Sequence, residues 1–250
     1  MVLLLGSFDF NGGGAVEPRL RGGLWMAIAS LALTAWPAPR PEQPKASPRL
    51  PLTIMPLGDS ITHGYNVPGG YRRPLWQALS DRGYRVHFVG SQRHGPPDWP
   101  EPAHEGHSGW KIEQIHQRVP GWLAQAQPEI ILLLLGTNDM AQGDRLATAP
   151  ERLAALLETI YHQNPAVQVF VASIPPIAEP ALNHRVQAYN AALPAIVAQQ
   201  QAQGRAAQFV DVYAVLTGDD LADGVHPNLD GHEKIAAAWL EALLAALPAP

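Results

Sequence analysis

A serine, an asparagine and a histidine each follow a predicted strand at its carboxyl end. Ser60 comes directly after the apolar run Leu52–Leu57, and Asn138 follows the run Glu129–Leu135. His226 lies in a loop between the last predicted strand and the final predicted helix. Because the carboxyl ends of parallel strands meet at one edge of an open sheet, we expect these side chains to lie close together.

These residue types are the ones that nucleophilic acyl transfer uses. A serine hydroxyl is a weak nucleophile until a base removes its proton, and histidine can do this at neutral pH. Asp223, three residues before His226, can hold one ring nitrogen and fix the tautomer. Asn138 can donate a side-chain N–H to a developing oxyanion. Gly90, which ends a second predicted strand, can present its backbone N–H to the same oxygen.

Each of these residues also has an ordinary structural interpretation. Ser60 can cap a helix N-terminus, Asn138 can accommodate a turn, and Gly90 can be a turn glycine. His226 can be a surface-loop histidine with Asp223 as a nearby cap. The combination favours chemistry, because the chemical groups end separate strands in the order Ser, Gly, Asn, then Asp and His.

Strands and helices alternate along the chain. The predicted strands are 52–57, 85–89, 129–135, 167–173 and 208–212, and the predicted helices are 71–82, 112–126, 150–162, 181–203 and 229–247. The segment Ser91–Trp110 is rich in Gly, Pro and His and is predicted to be a long loop, and Pro194 is expected to kink or break its helix. The alternation predicts a three-layer α/β/α fold with a five-stranded, parallel, flavodoxin-like sheet.

Composition narrows the classes of function. The chain has 250 residues, of which 46% are hydrophobic and 16% charged, as expected for a globular domain. The net charge of −5 without a basic stripe argues against a nucleic-acid partner. Cysteine is absent, and the ten histidines are scattered without a recognisable ligand set. His104 and His107 are three apart rather than the four of H-E-x-x-H, so neither a metal nor a cofactor is predicted.

The first 48 residues are predicted to lie outside the folded domain, which spans 49–250. Arg19 and Arg21 precede the apolar run Leu24–Trp36, and six prolines fall between Pro37 and Pro51. This pattern is typical of a secretory signal followed by a linker and predicts a secreted or periplasmic protein. The run is too short to span a bilayer. The alternative is a disordered leader.

The ordered motifs resemble the SGNH (GDSL-type) hydrolase superfamily. The matching residues are Gly58-Asp59-Ser60-Ile61-Thr62, Gly90, Gly136-Thr137-Asn138-Asp139 and Asp223-Gly224-Val225-His226-Pro227. The resemblance covers about residues 52–247. It implies a nucleophilic Ser60, with His226 as the base and Asp223 orienting it. It also implies an oxyanion hole formed by the Ser60 and Gly90 N–H groups and the Asn138 side chain.

The segments Phe88–Gln92 and His104–Trp110 resemble the acetylxylan esterases of the third carbohydrate esterase family. This narrower resemblance implies an acetylated carbohydrate substrate. Tyr65 and Trp110 are candidates to stack on a sugar, and Asp59 and His107 are further candidate substrate contacts. Trp110 can equally be a hydrophobic plug for its loop. Ser108 is a poor nucleophile candidate because Trp110 replaces the last glycine of G-x-S-x-G and no predicted strand precedes it.

Three functions therefore remain open: a carbohydrate O-acetyl esterase, an esterase, lipase or thioesterase for another ester, and a non-catalytic carbohydrate-binding domain. The complete Ser, Asn, Asp and His set argues against the third, because binding alone does not need that set. The polar Ser91–Trp110 segment favours a small acyl group over a long one. The length of the preferred acyl chain discriminates between the first two.

Overall fold

The computed structural model describes residues 51–250, which form a central sheet between layers of helices. The strands are β1 Leu52–Gly58, β2 Val86–Phe88, β3 Gln92–Arg93, β4 Ala103–Gly106, β5 Ile130–Leu134, β6 Gln168–Ala172 and β7 Ala207–Val210. The helices are α1 Ser60–His63, α2 Arg72–Ser80, α3 Ile112–Ala126, α4 Thr137–Gln142, α5 Ala149–Gln163, α6 Pro180–Ala202 and α7 Leu229–Ala246. Helix α2 packs on α7, whereas α5 packs on both α3 and α6.

The strand order is β3-β4-β1-β5-β6-β7, and β2 also pairs with β1. Every pairing is parallel except that of β3 with β4. Two strands share one edge of β1: β2 pairs with Leu52–Ile54, and β4 pairs with Leu57 and Gly58. On the other edge, β5 pairs with Ile54–Gly58. The carboxyl end of β1 therefore lies between those of β4 and β5.

The predicted fold class is confirmed, and all five predicted strands are present. The prediction of a loop over 91–110 is wrong in part, because β3 and β4 lie within it. In β4, His104 and Glu105 are buried although both are polar, so the strand has no apolar run to reveal it. Pro194 does not break its helix, because α6 continues through it, and the alternative of a kink there stays a prediction.

The sheet that carries the site packs against its helices through a continuous apolar core. All five residues of β5 are buried, as branched side chains covered on both faces of a parallel sheet should be. On α5, Leu153, Leu156, Leu157 and Ile160 are buried at helical spacing. Truncating one such leucine to alanine typically costs about 2–5 kcal/mol.

The predicted signal segment and linker, 1–48, lie outside the described residues, so export stays a prediction. Within residues 51–250 no helix is both long enough and apolar enough to cross a membrane.

Candidate active site

Ser60 is the first residue of α1, at the turn that ends β1. The turn is possible because residue 58 is glycine: a Cβ there would lie 2.2 Å from the Leu134 carbonyl oxygen on β5. Asp59 caps α1, and its carboxylate accepts the Ile61 N–H at 3.0 Å. The N-cap role is thus taken by the residue before Ser60, which leaves the serine hydroxyl available for other contacts.

Ser60, His226 and Asp223 form a continuous hydrogen-bonded chain. Ser60 Oγ lies 2.9 Å from His226 Nε2, and His226 Nδ1 lies 2.8 Å from Asp223 Oδ2. Because a carboxylate only accepts, Nδ1 carries the proton and Nε2 is free to accept from the serine hydroxyl. The backbone N–H groups of Val225 and His226 donate to Asp223 Oδ1 at 3.0 and 2.8 Å and fix the carboxylate.

The electrostatics of Asp223 suit an ionised orienting group. Partial burial raises the pKa of this carboxyl, but the hydrogen bonds from His226 and Val225 outweigh it and bring the pKa below its usual value. Asp223 therefore stays charged at neutral pH. An imidazolium formed at His226 during catalysis would be stabilised by this charge.

A turn over His107–Trp110 lies between the end of β1 and Asn138. The His107 N–H donates to the Gly58 carbonyl at 3.0 Å, and the Trp110 N–H donates to the His107 carbonyl at 3.1 Å. Asn138, on α4, donates its side-chain N–H to the Trp110 carbonyl at 2.9 Å. Gly109 has φ +80°, the left-handed conformation that the third residue of a type II turn requires.

The structure does not bring Gly90 to the carboxyl end of β1, where Ser60 lies. The Val89 N–H donates to the Ile54 carbonyl, so the chain passes Gly90 about two residues short of Gly58, or about 7 Å along the strand. A Cβ on Gly90 would lie 2.2 Å from the His104 carbonyl carbon, so glycine here allows β2 and β4 to approach each other. The predicted oxyanion role of Gly90 does not fit this position. The turn that follows β4 carries another glycine, Gly109, which sequence reasoning did not single out because the segment before it was not recognised as a strand.

Asp59, predicted as a substrate contact, is completely buried, so the structure corrects that prediction. Burial raises its pKa to about 6, although the Ile61 N–H opposes the shift. A side chain with no solvent-accessible surface cannot touch a substrate. Its place is behind Ser60, where it caps α1.

The three other predicted substrate contacts differ in exposure. Tyr65 is 63% exposed and its ring centroid lies 5.3 Å from that of His226, so it can meet a bound substrate. Trp110 is half-buried and stacks on His107 at 4.4 Å, as its loop-plug interpretation expects. The His107 side chain is only 10% exposed and is stacked on its other face by Trp122. His107 therefore faces its neighbours rather than a substrate.

A buried arginine holds the far end of α1. Arg72 donates to the carbonyl oxygens of Thr62, His63, His94 and Pro102 at 2.6–3.0 Å. Burial lowers its pKa to about 10, which still leaves it cationic at neutral pH. Within the described part of the chain no group of three or more His, Cys, Asp or Glu side chains is arranged to hold a metal ion.

Comparison with known protein families matches residues 57–234 to the GDSL-like Lipase/Acylhydrolase family. The chain belongs to this family. Among curated proteins, it is 31% identical over 261 residues to a multidomain esterase of Ruminococcus flavefaciens, covering 92% of this chain and 33% of that protein. It is 33% identical over 132 residues to a putative endoglucanase X of Acetivibrio thermocellus, covering 51% and 55%. The chain thus spans about a third to a half of the length of these relatives.

Two solved structures show which members of the family this chain resembles. A Clostridium thermocellum family 3 carbohydrate esterase is 33% identical with a TM-score of 0.71, covering 78% of this chain and 96% of that one. A family 3 carbohydrate esterase from Talaromyces cellulolyticus is 32% identical with a TM-score of 0.69, covering 78% and 97%. The predicted superfamily, the resemblance to family 3 carbohydrate esterases and the assignment as a carboxylic ester hydrolase are therefore confirmed.

Proposed function

We propose that this GDSL-family hydrolase is a serine esterase that removes acetyl groups from a carbohydrate through an acyl-enzyme on Ser60. The observation that carries the proposal is the unbroken chain of 2.9 and 2.8 Å contacts from Ser60 through His226 to Asp223. A hydroxyl, an imidazole and a carboxylate in this order are what an activated nucleophile needs.

The proposed reaction has two steps. His226 Nε2 takes the Ser60 proton as Oγ attacks the ester carbonyl, and the same proton then passes to the leaving sugar alcohol. Water, activated by His226, attacks the acyl-enzyme and releases acetate. The oxyanion receives donors from the Ser60 N–H, the Gly109 N–H and Asn138 Nδ2. The Gly109 N–H makes no hydrogen bond within residues 51–250, which leaves it available for this role.

Acetylated carbohydrate is the substrate class that the relatives support. Two of the similar structures, 33% and 32% identical to this chain, are family 3 carbohydrate esterases. The exposed ring of Tyr65 beside His226 offers an aromatic face of the kind that packs against a sugar. The broader family description, lipase and acylhydrolase, keeps other esters as the competing substrates.

The test is hydrolysis of p-nitrophenyl acetate and of acetylated xylan by Ser60→Ala. We expect only background turnover of both, with an unchanged circular dichroism spectrum. Ser80→Ala, at the end of α2, is the matched control and should keep full activity. Near-normal turnover by Ser60→Ala would contradict the assignment of Ser60 as the nucleophile.

A panel of acetyl, butyryl and octanoyl esters separates the substrate classes for the unaltered protein. The proposal expects kcat/KM to be highest for acetyl esters and acetate to be released from acetylated xylan. A preference for octanoyl esters, with no release of acetate from xylan, would contradict the proposed carbohydrate substrate. The proposed serine mechanism would still stand.

A further inference from the structure

Glu105, at the end of β4, is a buried carboxylate that the proposed reaction does not use. It is 1% exposed, and it has no lysine or arginine in ion-pair contact among the described residues. Its oxygens accept the backbone N–H of Ser91, the Ser91 hydroxyl at 3.0 Å and His107 Nε2 at 2.8 Å. Burying a carboxylate is costly unless its hydrogen bonds are made, so this arrangement indicates a specific role.

Stacking and hydrogen bonds restrain both the ring and the backbone of His107. Its ring stacks between Trp110 and Trp122, with centroid distances of 4.4 and 4.6 Å and interplanar angles of 24° and 8°. Its backbone N–H donates to Gly58, and its carbonyl accepts from Trp110. Because Nε2 donates to Glu105, the ring orientation and the position of the first residue of the turn are fixed together.

The turn that starts at His107 reaches the proposed oxyanion donors directly. Gly109 supplies one N–H, and the carbonyl of Trp110 accepts from Asn138 Nδ2 at 2.9 Å. The contacts therefore run from Glu105 through His107 and Trp110 to Asn138. We propose that Glu105 and His107 are positioning residues that hold the oxyanion hole in register with Ser60, an inference that rests on the proposed function.

The physical reason lies in the turn itself. Ser108 and Gly109 are exposed, and a Cβ on Gly109 would meet no atom within 4 Å, so neighbouring packing does not restrain the tip. An oxyanion donor has to lie about 2.7–3.1 Å from the oxyanion. A misplacement of about 1 Å can cost about 100-fold in rate. The restraint has to come from the base of the turn, where His107 is anchored to Glu105.

The test begins with His107→Phe in the full chain, which keeps an aromatic ring between the tryptophans but loses the bond to Glu105. We expect kcat on p-nitrophenyl acetate to fall about 10- to 100-fold, with KM changed less than about threefold. Active sites are counted by the endpoint of labelling with a serine-directed phosphonate. A normal kcat per labelled site would overturn the proposal, because the loss would then reflect misfolded protein alone.

Glu105 provides an independent variant with a conservative counterpart. Glu105→Ala should lower kcat per labelled site about as much as His107→Phe. Glu105→Gln should recover most of the loss, because its amide can donate to the other imidazole tautomer. A glutamine variant as slow as the alanine variant would contradict the hydrogen-bonding role.

A second glutamate–histidine pair in the same region supplies the matched control. Glu101 accepts the Phe88 N–H at 3.0 Å and His87 Nδ1 at 3.0 Å, away from Ser60. His87→Phe removes the same type of bond as His107→Phe. It should leave kcat unchanged, and an equal loss in both variants would overturn the specific role of His107.

Combination with Asn138→Ala shows whether the effect travels through the oxyanion hole. The combined loss should be well below the product of the single losses, because both changes act on one group of donors. A fully multiplicative loss would contradict the proposal. Failure here is distinguishable from failure of the proposed function, which would appear as activity remaining in Ser60→Ala.

Discussion

At the scale of single residues, the contacts of Ser60 depend on its neighbour. Asp59 takes the helix cap and leaves the serine hydroxyl to His226. The cost is a carboxylate with no exposed surface, whose pKa burial raises to about 6. Asp59 therefore fixes the start of the helix that carries Ser60. Its burial also lowers the free energy of unfolding by an amount that depends on pH.

The raised pKa of Asp59 predicts the direction in which stability changes with pH. Because the folded pKa of Asp59 lies above the unfolded value of 3.8, its unfavourable contribution grows as pH rises from about 4 to about 6. Asp59→Asn should therefore raise the free energy of unfolding at pH 7 by up to about 3 kcal/mol, and by almost nothing below pH 4. Urea unfolding at several pH values measures the difference. Exposed Asp98→Asn should leave the curve unchanged, and a pH-independent effect of Asp59→Asn would contradict the prediction.

Sequence reasoning could predict Ser60, Asn138, Asp223 and His226, because each follows a strand that an apolar pattern or its position reveals. It could not predict the burial of Asp59. A carboxylate next to a nucleophile looks exposed in sequence, whereas the α1 cap is visible only once β1 and β5 have been paired.

At the scale of elements, β4 was not predicted for the same reason: its burial depends on contacts that the sequence pattern does not show. Apolar runs predict β1, β5 and β6, whereas Ala103–Gly106 is half polar. It is a buried strand because Glu105 accepts three hydrogen bonds and His104 Nδ1 accepts the Gly106 N–H. These partners come from residues up to fourteen positions away, and no periodicity encodes them. Because β4 was not predicted, the turn that follows it, with Gly109, was not considered as a source of oxyanion donors.

Helix α1 is only four residues long, so its order depends on contacts from outside it. The clearest such contact is Arg72, whose guanidinium donates to Thr62 and His63 at the end of α1 and to His94 and Pro102 beyond it. These bonds join helix α1 to both ends of the segment that connects β3 with β4.

Arg72→Lys should therefore destabilise the protein although the charge is kept. Lysine has one nitrogen and cannot span four carbonyl groups, so buried acceptors lose their donors at about 1–3 kcal/mol each. We expect a total loss of about 3 kcal/mol or more in urea unfolding. Arg73→Lys, on the exposed side of α2, should change stability by less than about 0.5 kcal/mol. Equal stability of the two variants would show that the four bonds contribute little.

At the scale of the whole molecule, histidines that are buried or partly buried determine how stability changes as the pH falls. Burial lowers the pKa of His63 and His104, and it lowers that of His232 to about 4. His104 and His232 are therefore mostly neutral in the folded state at pH 5, while histidines of the unfolded chain bind protons below about pH 6.5. Stability from these groups is therefore complete above pH 6.5 and is lost as pH falls, opposite in sign to Asp59.

Because the pKa values of three histidines are lowered while those of two aspartates, Asp59 and Asp139, are raised, we expect the free energy of unfolding to fall between pH 6.5 and pH 4. His232→Leu should reduce this fall by an amount on the order of 3 kcal/mol, since it removes a group whose pKa is about 4 in the folded state and 6.5 in the unfolded state. Urea midpoints across this range provide the measurement, and exposed His184→Gln serves as the control. An unchanged slope in His232→Leu would show that other groups set the acid limit.

The shared edge of β1 constrains how this fold can vary during evolution. Residues Leu52–Ile54 are hydrogen-bonded to β2 and residues Leu57 and Gly58 to β4, so the two strands divide one row of backbone partners. Neither can grow towards the other without displacing it. A relative in which β2 is longer should therefore carry a shorter or shifted β4, and a shift of β4 moves His107 and its turn relative to Ser60. Strand length at the edge of the sheet and catalytic geometry are consequently inherited together.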